Sequence, residues 1–119
     1  MSLHESAEMY LETIYQLSRQ QHSVRSIDVA EALNYSRASV SRAVSLLKKD
    51  GYLEMDEDGF LNLTELGKST AEKIFERHMI LTAALKALGV DEESAAGDAC
   101  KIEHVISDES FAALSLIHI

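Results

Sequence analysis

Proline and tryptophan are absent from this chain of 119 residues, which contains only five glycines and one cysteine. Without proline, which removes a backbone donor and breaks helix interiors, long uninterrupted helices are permitted. A single cysteine cannot form a disulfide within the chain, which is typical of proteins in a reducing compartment. No apolar run approaches the roughly 20 residues needed to span a bilayer, and no signal peptide is visible. We therefore expect a cytoplasmic protein that has no membrane partner.

The chain is acidic overall, but its charge is unevenly distributed. The net charge is −9, and 46% of the residues are hydrophobic, enough for a compact core. Taken alone, the negative charge argues against nucleic-acid binding, because phosphate neutralisation by lysine and arginine supplies much of the affinity. Residues 22–49, however, hold five basic and two acidic groups, so that segment is +3 and the rest of the chain is −12. This locally basic segment is a candidate nucleic-acid interface.

Hydrophobic spacing predicts helices over residues 5–20, 24–34 and 36–51. We expect Ser26 to cap the second helix and Ser36 to cap the third, because serine side chains accept hydrogen bonds from free backbone N–H groups at helix starts. The predicted inner face of the third helix is formed by Val40, Val44 and Leu47. Two short helices joined by a tight turn, the second of them basic, are typical of a helix-turn-helix.

A β-hairpin is predicted directly after Gly51, the glycine that can end the third helix in the left-handed region. Residues 52–55 and 60–63 alternate in polarity around a turn at Asp58 and Gly59, so they are expected to pair as two strands. A hairpin in this position is the wing of a winged helix. Its acidic tip would repel a DNA backbone, so we expect the tip to stay away from DNA.

Three further helices are expected after the hairpin. Their predicted N-terminal caps are Thr64, Asp91, and either Ser107 or Asp108. The first is expected to run to Gly89, with an inner face formed by Ala71, Ile74, Phe75, His78, Thr82 and Leu85. The predicted fold is therefore mainly α-helical, with an N-terminal winged helix-turn-helix over residues 1–63 and a helical domain over residues 64–119.

The outward face of the third helix supplies the candidate DNA contacts. Ser39 and Ser41 can bond phosphates. Arg42 can read a guanine, and Ala38 can touch a thymine methyl group. The predicted DNA-binding residues are Ser36, Arg37, Ala38, Ser39, Ser41, Arg42 and Lys48. The alternative is that they form the solvated face of a helical bundle.

The stretch ACKIEHVI, residues 99–106, contains the only cysteine. If it is helical, Cys100, Glu103 and His104 lie on one face, because residues three and four apart are neighbours on a helix. Thiolate, carboxylate and imidazole all bind transition metals, whereas the ordinary alternative is a packed cysteine beside a surface pair. Two other predicted helices carry further potential ligands, namely Met9 and Glu12 on the first and His78 on the fourth, which favours a metal site. The candidate ligand set is Met9, Glu12, His78, Cys100, Glu103 and His104.

These motifs, in this order, resemble the diphtheria-toxin-repressor family of metal-dependent transcriptional regulators. The resemblance covers nearly the whole chain and rests on EMYLETIY (8–15), DGYLEM (50–55), LTELG (63–67), ERHMIL (76–81), LGVDEE (88–93) and DACKIEHVISDE (98–109). It implies a winged-helix half that binds DNA and a dimerisation half that carries most metal ligands. It also implies that metal favours binding of a homodimer to a palindromic double-stranded DNA operator, which represses metal-homeostasis genes.

The resemblance assigns the ligands residue by residue. Met9, Cys100, Glu103 and His104 match the primary site of iron-type members, whereas manganese-type members have a carboxylate at positions 9 and 100. Glu12 instead matches a ligand of the manganese-type site. The resemblance thus implies Fe2+ as the cofactor, with Mn2+ as the alternative. Ni2+, Co2+ and Zn2+ are expected to substitute in vitro, because they bind most ligand sets more tightly.

His78 matches a ligand position in both types of member. Thr82 and Ala96 stand where iron-type members have the carboxylate and second histidine of an ancillary site, so the resemblance does not imply a complete ancillary site. Iron-type members also carry a C-terminal SH3-like domain. Because this chain is too short for one and ends in the apolar ALSLIHI, we expect it to be shortened within its dimerisation half.

Other functional classes make different predictions. A metal-independent winged-helix regulator would bind DNA in the presence of a chelator. A structural zinc protein would unfold when its metal is removed. A metalloenzyme would use the metal to activate water, but no acid or base with a separate role is evident. We therefore expect no enzymatic activity and no small organic substrate.

Overall fold

The computed structural model describes residues 5–116 of the chain. The elements in this range are α1 (Glu5–Gln20), α2 (Ser26–Leu33), α3 (Arg37–Lys49), β1 (Leu53–Met55), β2 (Leu61–Leu63), α4 (Glu65–Ala87), α5 (Glu92–Ile102) and α6 (Asp108–Ser115). The prediction of a mainly helical protein with a winged helix-turn-helix is confirmed. None of the helices within residues 5–116 is long and apolar enough to cross a membrane.

The chain divides into two compact units, residues 1–72 and residues 73–119. The division falls within α4. The domain boundary after residue 63 that the sequence suggests stays a prediction. Hydrophobic burial explains why the start of α4 belongs to the first unit, because Ala71 is fully buried in that unit's core.

The first unit has one hydrophobic core, to which α1, α2, α3, the hairpin and the start of α4 all contribute. The buried members are Tyr10, Leu11, Ile14, Val24, Val29, Ala30, Val40, Val44, Leu47, Leu53, Leu61 and Ala71. The predicted inner face of α3 is therefore confirmed. With its apolar face in this core, α3 presents its opposite face to solvent, as an amphipathic helix must.

The start of α2 differs from the prediction. Ser26 is the first helical residue, and Arg25 occupies the N-cap position, so the predicted Ser26 cap is wrong. The carboxylate of Asp28 accepts a hydrogen bond from the backbone N–H of Arg25 at 2.8 Å. Because the carboxylate at the third helical position reaches back to the cap, this helix start is stabilised without a serine cap. Asn34 ends α2 in the left-handed region, with φ of 58°.

Ser36 caps α3 as predicted. Its hydroxyl oxygen accepts a hydrogen bond from the backbone N–H of Ser39 at 3.1 Å. Tyr35, between the two helices, donates its backbone N–H to the carbonyl of Ala30 at 3.1 Å. Gly51 lies beyond the end of α3 with φ of 86°, the left-handed conformation expected of it.

The hairpin forms a short antiparallel wing. Leu53 pairs with Leu63, and Met55 pairs with Leu61. Both strands are one residue shorter than predicted, because Tyr52 and Phe60 lie just outside them. Phe60 instead pairs with Arg25 in an isolated bridge, and the guanidinium of Arg25 lies 4.4 Å from the centre of the Phe60 ring.

The acidic wing tip has a structural role. The Asp56 carboxylate accepts hydrogen bonds from the backbone N–H groups of Asp58 at 2.9 Å and Phe60 at 3.0 Å. Gly59 closes the turn with φ of 83°. An aspartate at this position therefore organises the turn by bonding its own backbone, as aspartates commonly do.

The second unit contains the rest of α4 together with α5 and α6. Asp91 and Ser107 cap α5 and α6 through hydrogen bonds of 3.1 Å from the backbone N–H groups of Ser94 and Ser110. Ser107 rather than Asp108 is therefore the cap of α6. Leu81, which the predicted inner face of α4 did not include, is buried. No residue of α6 is fully buried within the described range.

Candidate metal centre and nucleic-acid interface

Glu103 and His104 lie at the end of α5 rather than within it. The helix ends at Ile102, Glu103 is its C-cap with helical backbone angles, and His104 belongs to the following turn. The expectation of one continuous helical face from position 100 to position 104 is therefore wrong in part. The backbone N–H of Glu103 still bonds the carbonyl of Ala99 at 2.9 Å, which keeps Glu103 on the face that carries Cys100.

The carboxylate of Glu103 lies between two imidazole rings. His78 Nδ1 is 3.1 Å from Glu103 Oε2, and His104 Nε2 is 3.3 Å from Glu103 Oε1. The Glu103 side chain is fully buried and that of His104 is 1% exposed, whereas that of His78 is 23% exposed. Burial of a carboxylate is costly unless charge or hydrogen bonds compensate it. The arrangement therefore concentrates strong donor groups at one buried point of the second unit.

Cys100 completes this group on the second unit. One ligand atom each from Cys100, Glu103 and His104 lies within 4.8 Å of the others. A thiolate, a carboxylate and imidazoles are the donor types that bind divalent transition metals. The buried carboxylate and its two histidine neighbours therefore fit a divalent cation, and the structure brings together four of the six sequence-predicted ligands.

Arg77 supports the turn that carries two of these donors. Its guanidinium donates hydrogen bonds to the carbonyls of Glu103 at 3.4 Å and Ile106 at 3.0 Å. It also pairs with the Asp108 carboxylate at the start of α6 and lies 5.2 Å from the centre of the Phe111 ring. Sequence reasoning did not identify Arg77, because neither periodicity nor motif spacing indicates which carbonyls an arginine will reach.

The other two predicted ligands, Met9 and Glu12, lie on α1 in the first unit. Glu12 is only 5% exposed, and its Oε2 atom has no hydrogen-bond partner among the described residues. A buried carboxylate oxygen without a partner is rare in folded proteins and calls for a ligand or proton. Met9 is half-buried, and its sulfur accepts a hydrogen bond from the hydroxyl of Tyr35 at 3.5 Å.

The DNA-binding candidates mostly face solvent on α3. Six of the seven are exposed, namely Ser36, Arg37, Ala38, Ser41, Arg42 and Lys48. Ser39 is half-buried, and its hydroxyl oxygen accepts a hydrogen bond from the hydroxyl of Ser36 at 3.0 Å. The two serines therefore already bond each other as part of the helix cap, while both arginines and Lys48 present their charges to solvent.

Tyr10 of α1 is a buried tyrosine of the first unit's core. Burial, with a contribution from the nearby Tyr35, raises the pKa of Tyr10 above its usual value, and Arg42 opposes the shift. The Tyr10 phenol is therefore neutral at physiological pH. Its ring meets the Tyr35 ring edge to face, with 5.9 Å between centroids and 66° between planes, a favourable aromatic geometry.

Two family models match the chain, one over its N-terminal half and one over its C-terminal half. The model described as "Iron dependent repressor, N-terminal DNA binding domain" matches residues 2–61. The model described as "Iron dependent repressor, metal binding and dimerisation domain" matches residues 64–117. The chain is also similar to the transcriptional regulator MntR of Lysinibacillus sphaericus, with 38% identity over 86% of this chain and 73% of that protein. The MntR of Bacillus subtilis is 39% identical over 86% of this chain and 72% of that protein.

Solved structures show the same architecture. A manganese-dependent transcriptional repressor in complex with manganese superposes with a TM-score of 0.85 at 26% identity, covering 92% of this chain and 51% of that one. The manganese regulator SloR superposes with a TM-score of 0.80 at 24% identity, covering 98% of this chain and 54% of that one. The chain thus spans about half the length of these solved regulators, and the likeness to SloR is one of fold.

Proposed function

This chain belongs to the iron-dependent repressor family, and on that premise we propose that it is a transcriptional regulator whose binding to operator DNA is favoured by a divalent metal ion. The resemblance to diphtheria-toxin-type repressors predicted from the sequence is confirmed by that membership. Members of the family are DNA-binding regulators and not enzymes.

The proposal is carried by one observation, the buried carboxylate of Glu103 between His78 and His104. Two imidazoles within 3.3 Å of one buried carboxylate would be an expensive arrangement for stability alone, because removing these groups from water costs more than their contacts return. A divalent cation supplies the positive charge that makes such a cluster favourable. Cys100 adds a thiolate donor on the same side of α5.

We propose that Met9 and Glu12 complete the ligand set from α1. The supporting observation for Glu12 is its buried carboxylate oxygen, which has no hydrogen-bond partner within residues 5–116. The support for Met9 is its position three residues earlier on the same helix, one turn away. In this proposal the helix that precedes α2 and α3 shares an ion with α4 and α5.

Shared ligation explains how an ion can control DNA binding. Glu12, Glu103 and the Cys100 thiolate are up to three negative groups, which repel one another until a cation is bound. An effector shifts an equilibrium only by its different affinities for the two arrangements, and such couplings are usually about 1–3 kcal/mol, or 5–150-fold in affinity. The ion thereby fixes the position of α1 and of the helices that follow it.

We propose Fe2+ as the physiological ion, with Mn2+ as the alternative. Sulfur donors from Met9 and Cys100 favour softer ions, whereas Mn2+ prefers carboxylate and carbonyl oxygen. Mn2+ is supported by the relatives, since the manganese-dependent repressor structure is named for that ion. The two choices make opposite predictions about the free metal concentration needed for activation.

On the DNA side, we propose that α3 is the recognition helix and that a homodimer reads a palindromic operator of metal-homeostasis genes in the cytoplasm. The support is the exposed basic face of α3 and the match to a DNA-binding domain and a dimerisation domain. In such a dimer the two recognition helices lie about 34 Å apart, one helical turn of DNA.

The test is operator binding under anaerobic conditions at buffered free Fe(II), Mn(II) and Zn(II), using fluorescence anisotropy on DNA selected from a palindromic library. We expect metal to tighten binding and a chelator to reverse the effect. Glu103→Gln should abolish the response, while Glu93→Gln, a change at an exposed residue in the first turn of α5, should leave it intact.

Two rival functions predict different results when the metal is chelated and both operator binding and circular dichroism are measured. Operator binding unaffected by chelator identifies a metal-independent regulator. Loss of helical circular dichroism on chelation identifies a structural zinc protein, because such domains unfold without metal. The proposed switch requires a chelated protein that stays folded and binds DNA weakly.

A further inference from the structure

The hydroxyl of Tyr35 connects a proposed metal ligand to the helix-turn-helix. Tyr35 lies in the turn between α2 and α3, whereas Met9 lies on α1. The phenolic hydroxyl of Tyr35 donates a hydrogen bond to the Met9 sulfur at 3.5 Å. This contact joins residues 26 positions apart and involves the one atom of the Met9 side chain that can bind a metal.

The Tyr35 ring is held in place although its residue is 44% exposed. It packs edge to face against Tyr10, which is 7% exposed and belongs to the core. Its backbone N–H bonds Ala30, the last buried residue of α2. Tyr35 is thus held through both its ring and its backbone. Its hydroxyl can therefore restrain the Met9 thioether, whose unbranched chain otherwise samples several rotamers.

The residue after Tyr35 is the N-cap of the recognition helix. The Ser36 hydroxyl oxygen accepts a hydrogen bond from the backbone N–H of Ser39 and thereby sets where α3 begins. Asn34, on the other side, is fixed in the left-handed region with φ of 58°. Because the turn is this tight, a displacement of Tyr35 moves the start of α3, which carries the proposed DNA contacts.

We propose that Tyr35 is a positioning residue that holds the Met9 thioether for metal binding and transmits the state of that ligand to the start of α3. The proposal rests on the proposed role of Met9 as a metal ligand. A thioether sulfur has two lone pairs, so it can accept a hydrogen bond from the Tyr35 hydroxyl and bind a cation at the same time. Groups that hydrogen-bond a ligand commonly orient it and tune its affinity.

The experiment compares Tyr35→Phe with Tyr52→Phe. Tyr35→Phe removes only the hydroxyl and keeps the ring that packs on Tyr10. Tyr52 is a matched control, because its hydrogen bonds to Leu47 and Thr64 run through its backbone. Met9→Leu and the double variant Tyr35→Phe with Met9→Leu complete a double-mutant cycle, which isolates the coupling between the two side chains.

The first readout is the 13C methyl signal of Met9, assigned among the four methionines of the chain, with and without Zn(II) as a diamagnetic probe. In the parent we expect a signal typical of one fixed rotamer that moves when Zn(II) binds. In Tyr35→Phe we expect the metal-free signal to move toward the value of a freely rotating methionine. Tyr52→Phe should match the parent.

The second readout is operator affinity with and without Zn(II). We expect Tyr35→Phe to reduce the gain in affinity caused by metal by about two- to tenfold, the range expected from one net hydrogen bond. Metal-free affinity should be unchanged. An equal loss with and without metal would identify Tyr35 as a direct DNA contact and overturn the proposal.

The outcomes separate this inference from the proposed function. If the Met9 signal of the parent does not change when Zn(II) is added, Met9 is not a ligand, and both the proposed ligand set and the role of Tyr35 are overturned. A parent signal that responds to Zn(II), with Tyr35→Phe behaving as the parent in both readouts, overturns the role of Tyr35 alone. Additive effects of Tyr35→Phe and Met9→Leu on the metal-induced gain would also overturn it.

Discussion

Arg77 donates a hydrogen bond from its guanidinium to the backbone carbonyl of Ile106 across 3.0 Å. The same group bonds the carbonyl of Glu103, so one side chain of α4 satisfies two carbonyls in the turn that follows α5. Carbonyls at helix ends lack partners within the helix and need them from elsewhere. The position of Glu103 and His104 thus depends on a residue outside the proposed ligand set.

Replacing Arg77 by alanine should destabilise the protein by about 1.5–3 kcal/mol, the scale of hydrogen bonds made by a charged group. Urea unfolding of the metal-free protein measures the change. The control is Lys86→Ala, which breaks the largely exposed pair with Glu92 and should cost less than about 1 kcal/mol. Equal losses in the two variants would contradict the role assigned to Arg77.

Two glycine substitutions should have opposite effects on stability. A Cβ atom at Gly67 would lie 2.0 Å from the backbone carbonyl oxygen of Tyr52, whereas nothing lies within 4 Å of one at Gly97. Gly67→Ala must therefore displace backbone and should destabilise the first unit. Gly97→Ala, inside α5, should stabilise the protein by up to about 1 kcal/mol through helix propensity. Thermal unfolding of both variants checks the signs, and a stable Gly67→Ala protein would show that the close approach is not required.

Arg42 and Lys48 should differ in what they contribute to DNA binding. If Arg42 reads a base, Arg42→Ala should weaken operator binding by about 1–3 kcal/mol and relax specificity at one position. Lys48→Ala, if Lys48 contacts only phosphate, should weaken all sequences alike and reduce the salt slope by about one unit. Competition between operator and scrambled DNA at several salt concentrations measures both. Equal, sequence-independent losses would remove Arg42 from base readout.

The metal preference should follow the sulfur donors. We expect Fe(II) to activate the parent at a lower free concentration than Mn(II), because thioether and thiolate are soft ligands. The double change Met9→Asp with Cys100→Glu should shift the preference toward Mn(II). Activation curves at buffered free metal, recorded anaerobically because a thiolate oxidises readily, provide the comparison. A parent that responds equally to both ions and an unchanged double variant would refute the assignment of Met9 and Cys100 as selectivity ligands.

We predict a homodimer built from the last two helices, because apolar residues cluster near the end of the chain. The sequence places Phe111, Leu114, Leu116 and Ile117 on this surface, of which Ile117 lies outside the described residues. Leu116 is 79% exposed in the single chain, and exposed apolar patches commonly mark interfaces. Leu116→Ser should therefore weaken dimerisation in sedimentation velocity, whereas Leu66→Ser, an exposed leucine of the first unit, should not. A parent protein that is a metal-loaded monomer at micromolar concentration would contradict the prediction.

Several elements could be read from the sequence because their causes are local. The bounds of α1, the Ser36 and Thr64 caps and the inner face of α3 follow from periodicity and from side chains that bond backbone a few residues away. The predicted cap of α2 was wrong because two side chains near its start, Ser26 and Asp28, can each bond backbone N–H groups. The Asp28 carboxylate bonds the backbone N–H of Arg25, Arg25 is the N-cap, and Ser26 is the first helical residue.

The sequence by itself determined the types of donor, the order of the helices and the family, because these depend on residue identity and spacing. Only the tertiary structure placed His78 against Glu103, 25 residues away, and ended α5 before His104. It also brought Tyr35 to Met9 and Arg77 to the turn after α5. Such contacts arise from how packed helices meet, and no local periodicity encodes which side chains then lie within hydrogen-bonding distance.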